Sequence, residues 1–92
     1  MNGAMTNLAK ASEQFSETAI DEEIVVMSLA TGDFFSLEGT ARAAWELIDG
    51  QRDLAALAAA LAQQFHTSAQ IIGPDLEAFV AQLRTAGLLR DG

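Results

Sequence analysis

Few side chains in this sequence could do chemistry, and their spacing does not fit catalysis. The chain has no cysteine, no tyrosine and a single histidine, His66, so it has no thiolate nucleophile and no cysteine metal ligand. His66 has no Glu or Asp partner at the spacing of a zinc site and is expected to be a solvated surface residue. No serine lies in a Gly-x-Ser-x-Gly turn or beside a patterned base. The sequence therefore predicts no catalytic residue, no metal site and no enzyme activity.

The carboxylates and glycines are the remaining candidates for a reactive or ligand-binding site. Asp21, Glu22 and Glu23 are consecutive in the sequence and lie in a predicted turn. A catalytic acid–base pair needs two carboxyl groups whose environments give them different pKa values, and a solvated turn does not provide such environments. We interpret these three residues as a solubilising loop. The glycines are scattered and do not form a phosphate-binding loop. No cofactor is predicted.

The charge balance restricts the class of partner. Thirteen acidic and five basic residues give a formal net charge of −8. Such a surface repels phosphate backbones, whose binding depends on Lys and Arg, so no nucleic acid is predicted. The acidity either steers a neutral or basic partner or only keeps the protein soluble. No apolar run approaches the ~20 residues of a membrane helix and no signal peptide is recognisable, which predicts a cytoplasmic protein without a membrane partner.

The first half of the chain has the pattern of short strands. Residues 1–12 lack periodicity and are predicted to be a flexible segment, with Met5 as an alternative start, ahead of a domain over residues 13–92. Within that domain, 13–20 and the β-branched run 24–30 are predicted strands. A turn at 31–33 then returns the chain into a strand at 34–37.

The hydrophobic period then changes to that of helices. One apolar face recurs through 38–50, with Thr40 or Glu38 as its cap, Trp45 in the core and Gly50 as its left-handed end. Asp53 is the predicted cap of an alanine-rich second helix.

A third helix completes the predicted fold. It begins at Ser68 with Pro74 in its first turn, or at Pro74 itself, and ends at Gly87. Strands followed by helices predict an α+β fold.

The adjacent aromatics Phe34 and Phe35 raise the question of what each one contacts. Neighbours on a strand point to opposite faces, so Phe35 and Leu37 are predicted to pack on the helices while Phe34 and Ser36 face the other way. Phe34 would then lie beside a short, open strand edge that suits strand addition by a peptide. The alternative is that Phe34 packs under the N-terminal segment.

Two other binding functions agree with a small domain of this composition. A winged helix-turn-helix would bind DNA, but the net charge argues against it. A carrier protein would bear a phosphopantetheine arm on Ser36. In that case an aspartate should precede the serine, and Phe35 stands there instead.

Three stretches, taken together and in order, resemble a known family. They are Gly32-Asp33-Phe34-Phe35-Ser36-Leu37, then Trp45-Glu46-Leu47-Ile48-Asp49-Gly50, and finally Asp75-Leu76, Phe79-Val80, Leu83 and Gly87-Leu88-Leu89. Over residues 13–89 the chain resembles the PqqD-like proteins, the RiPP recognition elements of ribosomal-peptide biosynthesis. It departs from them at Glu38, where the family often has an asparagine cap.

The resemblance implies a non-catalytic, winged-helix-like domain with a three-stranded antiparallel sheet followed by three helices. Members bind the leader of a precursor peptide as an added strand, between the third strand and the third helix. It also implies a leader peptidase and a cyclase of a lasso-peptide system as further partners, or alternatively a radical-SAM enzyme of the pyrroloquinoline quinone type. The implied peptide-binding residues are Asp33, Phe34, Phe35, Ser36, Leu37, Ile72, Leu76, Phe79, Val80 and Leu83.

Overall fold

The computed structural model describes residues 6–91, and within that range it has five strands and three helices. The strands are β1 (Leu8–Lys10), β2 (Phe15–Ile20), β3 (Glu23–Ser28), β4 (Phe34–Leu37) and β5 (Leu89–Asp91). The helices are α1 (Gly39–Leu47), α2 (Leu54–Gln64) and α3 (Ala69–Thr85). No helix within this range has the length and apolar character needed to cross a lipid bilayer. The predicted α+β fold is confirmed, because β2, β3 and β4 form a three-stranded antiparallel sheet followed by the three helices.

The central strand of this sheet is shorter than its β-branched sequence predicts. The sequence predicts a strand over 24–30, whereas β3 ends at Ser28. Ser28 already belongs to the following turn, since its carbonyl accepts from the N–H of Gly32 at 2.8 Å and its hydroxyl accepts from the N–H of Thr31 at 3.3 Å. Local turn hydrogen bonds therefore end the ladder two residues earlier than hydrophobicity alone indicates.

The core lies between one face of the sheet and the helices. Trp45 is fully buried, and Phe15 packs its ring edge against it with centroids 5.1 Å apart. The indole N–H donates to Glu17 at 3.4 Å, and Lys10 places its ammonium 4.8 Å from the ring centroid. The prediction that Trp45 is a core residue is confirmed.

The first two helices begin as predicted, but α1 ends earlier. The carboxylate of Asp53 caps α2 by accepting from the N–H of Ala56 at 2.8 Å. Glu38 holds the cap position of α1 without a side-chain capping bond, and the last residue of α1 is Leu47. Gly50 is therefore not the residue that directly ends α1. It has φ +85°, and its N–H donates to the carbonyl of Leu8 at 2.8 Å.

Helix α3 begins at the earlier of its two predicted starts. Ser68 caps it by accepting from the N–H of Ile71 at 3.3 Å. Pro74 is the sixth residue of the helix, so its predicted place in the first turn is wrong. The proline leaves the carbonyl of Gln70 without its helical donor. Gln70 is solvent-exposed, where water can take that donor's place.

The end of α3 follows the sequence closely. Gly87 adopts φ +78°, its N–H donates to the carbonyl of Arg84 at 3.0 Å, and the N–H of Leu88 donates to the carbonyl of Leu83 at 3.0 Å. These two bonds form a Schellman motif, and the fully buried Leu88 supplies its apolar contact.

The N-terminal region differs from the predicted domain boundary at residue 13. Strand β1 pairs antiparallel with β5, Leu8 is 2% exposed, and the N–H of Leu8 donates to the carbonyl of Arg52 at 2.8 Å. Residues 8–12 thus pack on the same core as the rest of the chain. Residues 1–5 of the predicted flexible segment lie outside the described residues.

Candidate functional site

Strand β4 presents unpaired backbone groups along its outer edge. The N–H of Ser28 donates to the carbonyl of Asp33 at 2.9 Å, and the register continues through Val26 opposite Phe35. Because residues of an antiparallel ladder alternate between bonded and non-bonded pairs, Asp33, Phe35 and Leu37 direct their backbone groups at β3. The N–H and C=O of Phe34 and Ser36 point the other way, where no strand of residues 6–91 pairs with them.

The side chains of β4 alternate as the sequence predicts. Phe34 is 68% exposed on the sheet face opposite the helices, and Ser36 on that face donates to the carboxylate of Glu23. Phe35 is half-buried against the core and Leu37 is fully buried. Phe34 is thus a large aromatic held in solvent at the open edge.

An apolar pocket opens between α1 and α3, close to the C-terminal end of β4. It has a volume of about 220 Å³. We call it the α1–α3 pocket, and its lining residues are Thr40, Ala41, Ala44, Ile72, Asp75, Leu76 and Phe79.

A second, larger pocket lies between the other end of β4 and the C-terminal half of α3. Its volume is about 440 Å³. We call it the β4–α3 pocket, and its lining residues are Thr31, Asp33, Phe35, Gln82, Thr85 and Ala86.

One face of α3 contributes to both pockets, and we call the two pockets with this face between them the groove. Five of the residues that line them follow one another at steps of three and four, which places these five on one face of a helix. In order they are Ile72, Leu76, Phe79 and Gln82 of α3, and Ala86 at its C-cap. The groove therefore runs along β4, with the free backbone groups of Phe34 and Ser36 at its margin.

The residues predicted for peptide binding divide into three groups. Phe34 and Ser36 lie on the outer sheet face. Asp33, Phe35, Ile72, Leu76 and Phe79 line the groove. Leu37, Val80 and Leu83 are 5% exposed or less and line neither pocket, so they support the groove from the core.

Several groove residues escaped the sequence reasoning because they are small or polar. Ala41 and Ala44 belong to the apolar face predicted for α1, but no binding role was predicted for them. Asp75 and Gln82 on α3, and Ala86 at its C-cap, also line the pockets without being among the predicted peptide-binding residues. The helical period could have identified two of them, since Asp75 lies three residues after Ile72, and Gln82 lies three residues after Phe79, on the same face of the helix.

The groove is acidic at both ends. Asp33 lies at the mouth of the β4–α3 pocket, where its carboxylate accepts from the hydroxyl of Thr31 at 3.0 Å. Asp75 lies at the α1–α3 pocket. Within residues 6–91 the ion pairs use other carboxylates, those of Glu13, Glu46, Asp49 and Asp91. The groove thus combines an apolar floor with two carboxylates that no cation of the described chain neutralises.

Comparison with known proteins gives one family and one solved structure. The family model of "Coenzyme PQQ synthesis protein D (PqqD)" matches residues 23–89, which is most of the chain. The solved structure "TbiB1 in Complex with the TbiA(beta) Leader Peptide" is similar with a TM-score of 0.75 and 24% sequence identity, over 86% of this chain and 92% of that one. At that identity the likeness establishes the fold. No curated protein matches the chain.

The family match includes the structural parts of the groove. It spans β3, β4 and all three helices, whereas β1 and β2 precede its first residue. The match therefore covers both the open edge and the α3 face beside it. The chain belongs to the PqqD family.

Proposed function

We propose that this protein binds the leader region of a ribosomally made precursor peptide by strand addition to β4, without catalytic activity of its own. The observation that carries the proposal is the open edge at Phe34 and Ser36 beside an apolar groove on α3. Membership of the PqqD family supports it, as does the similar fold of TbiB1, which was solved with a leader peptide.

An extended peptide fits this edge with few bonds but well-defined side-chain positions. It forms at most four backbone hydrogen bonds with Phe34 and Ser36, each worth about 1 kcal/mol after exchange with water. Each apolar side chain that it buries adds about 1.5–3 kcal/mol, and the costs of association and ordering are subtracted from the total. The side chains therefore determine the affinity, and the backbone bonds fix the register.

The charge distribution argues against the DNA-binding alternative. Each of the five basic residues of the chain is already engaged. Arg42, Arg52, Arg84 and Arg90 form ion pairs, and Lys10 lies over the Trp45 ring. The net charge is −8 and the Lys and Arg side chains already have partners within the chain, so few cationic groups remain to neutralise DNA phosphates.

The carrier-protein alternative is disfavoured by the place of Ser36. This serine lies inside β4 with its hydroxyl donating to Glu23, whereas a phosphopantetheine arm is attached at a helix start. A leader-binding role uses the backbone of Ser36 instead.

The enzyme that receives the bound peptide has two candidates. We favour delivery to a leader peptidase and cyclase of a lasso-peptide system, because the aromatic pair Phe34-Phe35 and the stretch 40–50 resemble stand-alone proteins of those systems. The second candidate is a peptide chaperone for a radical-SAM enzyme, which the PQQ-synthesis description of the family favours. The genes beside this one distinguish them. A transglutaminase-like peptidase with an asparagine-synthetase-like cyclase supports the first, and a radical-SAM gene supports the second.

The direct test is a titration with the leader of the precursor peptide encoded beside the gene. The synthetic leader is labelled with fluorescein and its anisotropy is followed as the protein is added. We expect saturable binding that survives moderate salt and is absent for a scrambled leader of the same composition. Equal binding of the leader and its scrambled form would contradict the proposal, and so would a complete lack of binding.

A further inference from the structure

We infer that the groove selects a leader segment with an apolar residue four positions before a lysine or arginine, and that Asp33 is the residue that reads this cation. The inference rests on the proposed function, since it specifies which extended peptide the β4 edge accepts. Two independent measures of the groove give the four-residue spacing between the apolar and the cationic peptide residue. The negative charge of the groove accounts for the preference for a cation.

The register of β4 supplies the first measure. Asp33, Phe35 and Leu37 share the sheet face that looks toward α3. A peptide that pairs antiparallel with β4, the more stable arrangement, places one residue opposite Leu37 and another opposite Asp33. Those two peptide residues are four apart and on the same face, and the one opposite Leu37 comes first along the peptide.

The length of α3 between the pockets supplies the second measure. The α1–α3 pocket uses α3 residues from 72 to 79, and the β4–α3 pocket uses residues from 82 to 86. The centres of these sets are about nine residues apart, which is ~13 Å along a helix. An extended chain covers that distance in about four residues at ~3.3 Å each. The strand register and the helix length thus give the same spacing of four residues between the two peptide side chains.

The two ends of the groove differ in chemistry. Near Leu37 the α1–α3 pocket has Thr40 and Asp75 as its polar lining, but most of its lining is apolar and favours an aliphatic or aromatic side chain, with Ala41, Ala44, Ile72, Leu76 and Phe79. At the other end Phe35 and Ala86 form an apolar wall with the Asp33 carboxylate at its mouth.

A lysine or arginine fits this second end because its stem packs on apolar surface while its charged head stays at the rim. The head then meets Asp33 directly across the strand, as oppositely charged cross-strand pairs do. The net charge of −8 favours a cation at this position over a neutral residue.

The experiment is a selection from a yeast-displayed library of random 12-residue peptides against the purified, full-length protein. The same selection is made against Ser36→Pro, which removes one edge N–H, and only peptides lost with that variant are analysed. We expect them to be enriched in an apolar residue followed four positions later by Lys or Arg. Synthetic peptides with this spacing shortened or lengthened by one residue should bind ~10-fold or more weakly, since one anchor then turns to the other face.

Charge reversal tests the role of Asp33 separately. Selection against Asp33→Lys should change the preference at the second position from Lys or Arg to Asp or Glu. A Lys-to-Glu peptide should bind this variant at least threefold better than it binds the parent protein, as exposed ion pairs allow. The control is Glu22→Lys, which makes the same change of charge in the exposed β2–β3 turn and should leave the preference unaltered.

The outcomes separate the inference from the proposed function. Peptides that depend on the β4 edge but lack the four-residue spacing would overturn the inference. So would a preference for Lys or Arg that Asp33→Lys does not change. Both results would still agree with strand addition to β4. A library in which no peptide depends on the β4 edge would overturn both.

Discussion

The two outer strands of the same sheet, β2 and β4, both have an edge that no strand of residues 6–91 pairs with, but they differ in what lies beside that edge. Along β2 the N–H of Leu29 donates to the carbonyl of Gln14 at 2.9 Å, so the alternation directs the backbone of Phe15, Glu17 and Ala19 outward. Strand β2 is the longer of the two, with six residues against four. Length alone would make β2 the better template for an added strand.

The side chains reverse that order. On β2 every residue after Phe15 is exposed, and the inward-facing Glu17 puts a charge on the core side of the strand. An inward charge on an edge strand discourages pairing with another chain. On β4 the edge carries Phe34 and Phe35 and borders the groove, whose apolar residues include Ile72, Leu76 and Phe79. We therefore expect a peptide to be added at the edge of β4 and not at that of β2.

Proline substitution on each edge should give the largest difference. Ser36→Pro removes an outward N–H from β4 and blocks the approach of a peptide, while β4 can stay paired with β3 because that N–H faces away from it. We expect leader binding to be lost, measured by fluorescence anisotropy. Ala19→Pro is the matched control, since it makes the same change on the outer edge of β2, and it should bind the leader as the parent does. Loss of binding in both variants would mean that the edges are equivalent.

Removing an exposed side chain from each strand should have the next largest effect. Phe34→Ala should weaken leader binding by about 10-fold, the value of one apolar contact of ~1.5 kcal/mol, with little change in melting temperature because Phe34 is 68% exposed. Ile20→Ala on β2, where the side chain is 50% exposed, should leave binding unchanged. Equal affinity of Phe34→Ala and the parent would remove Phe34 from the site.

Removing the protective charge should make the two edges more alike. Glu17→Val takes the carboxylate from β2 and leaves an apolar, β-favouring residue, so we expect concentration-dependent self-association in sedimentation velocity. The variant should also unfold at a lower temperature, because Trp45 loses its acceptor. Glu22→Val, which removes a charge from the adjoining turn instead, should remain monomeric. A monomeric Glu17→Val would show that the charge does not protect this edge.

The smallest effect is expected at Asp49, a carboxylate in the loop between α1 and α2. The backbone N–H of Gln51, and then Arg52, hold the pKa of Asp49 below its ordinary value. A folded-state pKa below the unfolded one means that the stabilisation is complete above the ordinary pKa of 3.8 and is lost as the pH falls through the folded value. Asp49→Asn should slightly lower the melting temperature at pH 7, with a smaller difference from the parent at pH 2. Leader binding at pH 7 should be unchanged, and a loss of binding would connect this loop to the groove.

The sequence predicted the local elements well because their signals lie within a few residues of one another. Asp53 capping α2 and Gly87 ending α3 are read from single positions whose backbone demands are strict. The alternation of Phe34 and Phe35 follows from the strand period alone. The position of Pro74 was wrong because the cap at Ser68 and the tertiary contacts of Ile72 outweigh one lost helical hydrogen bond.

Long-range features were not predictable in the same way. The three-residue strand β1 has no period to read, and it forms only because its partner β5 lies about eighty residues further along the chain. The sequence also did not separate groove residues from core residues on α3. Leu76 and Phe79 line the groove whereas Val80 and Leu83 support it, and this difference depends on how α1, β4 and α3 are placed relative to one another. All four residues are apolar and occupy one helix, so their spacing alone contains no such distinction.

The pairing of β1 with β5 has a practical consequence for engineering. Leu8 lies opposite Asp91, so the two ends of the described chain leave the body side by side, and neither of them contributes to the groove. A short flexible connector between these ends, with new termini opened in the exposed loop after α2, should yield a circular permutant that keeps its cleft intact. By the same geometry the module could be spliced into a host polypeptide as a cassette, in the way that naturally inserted domains tolerate neighbouring ends.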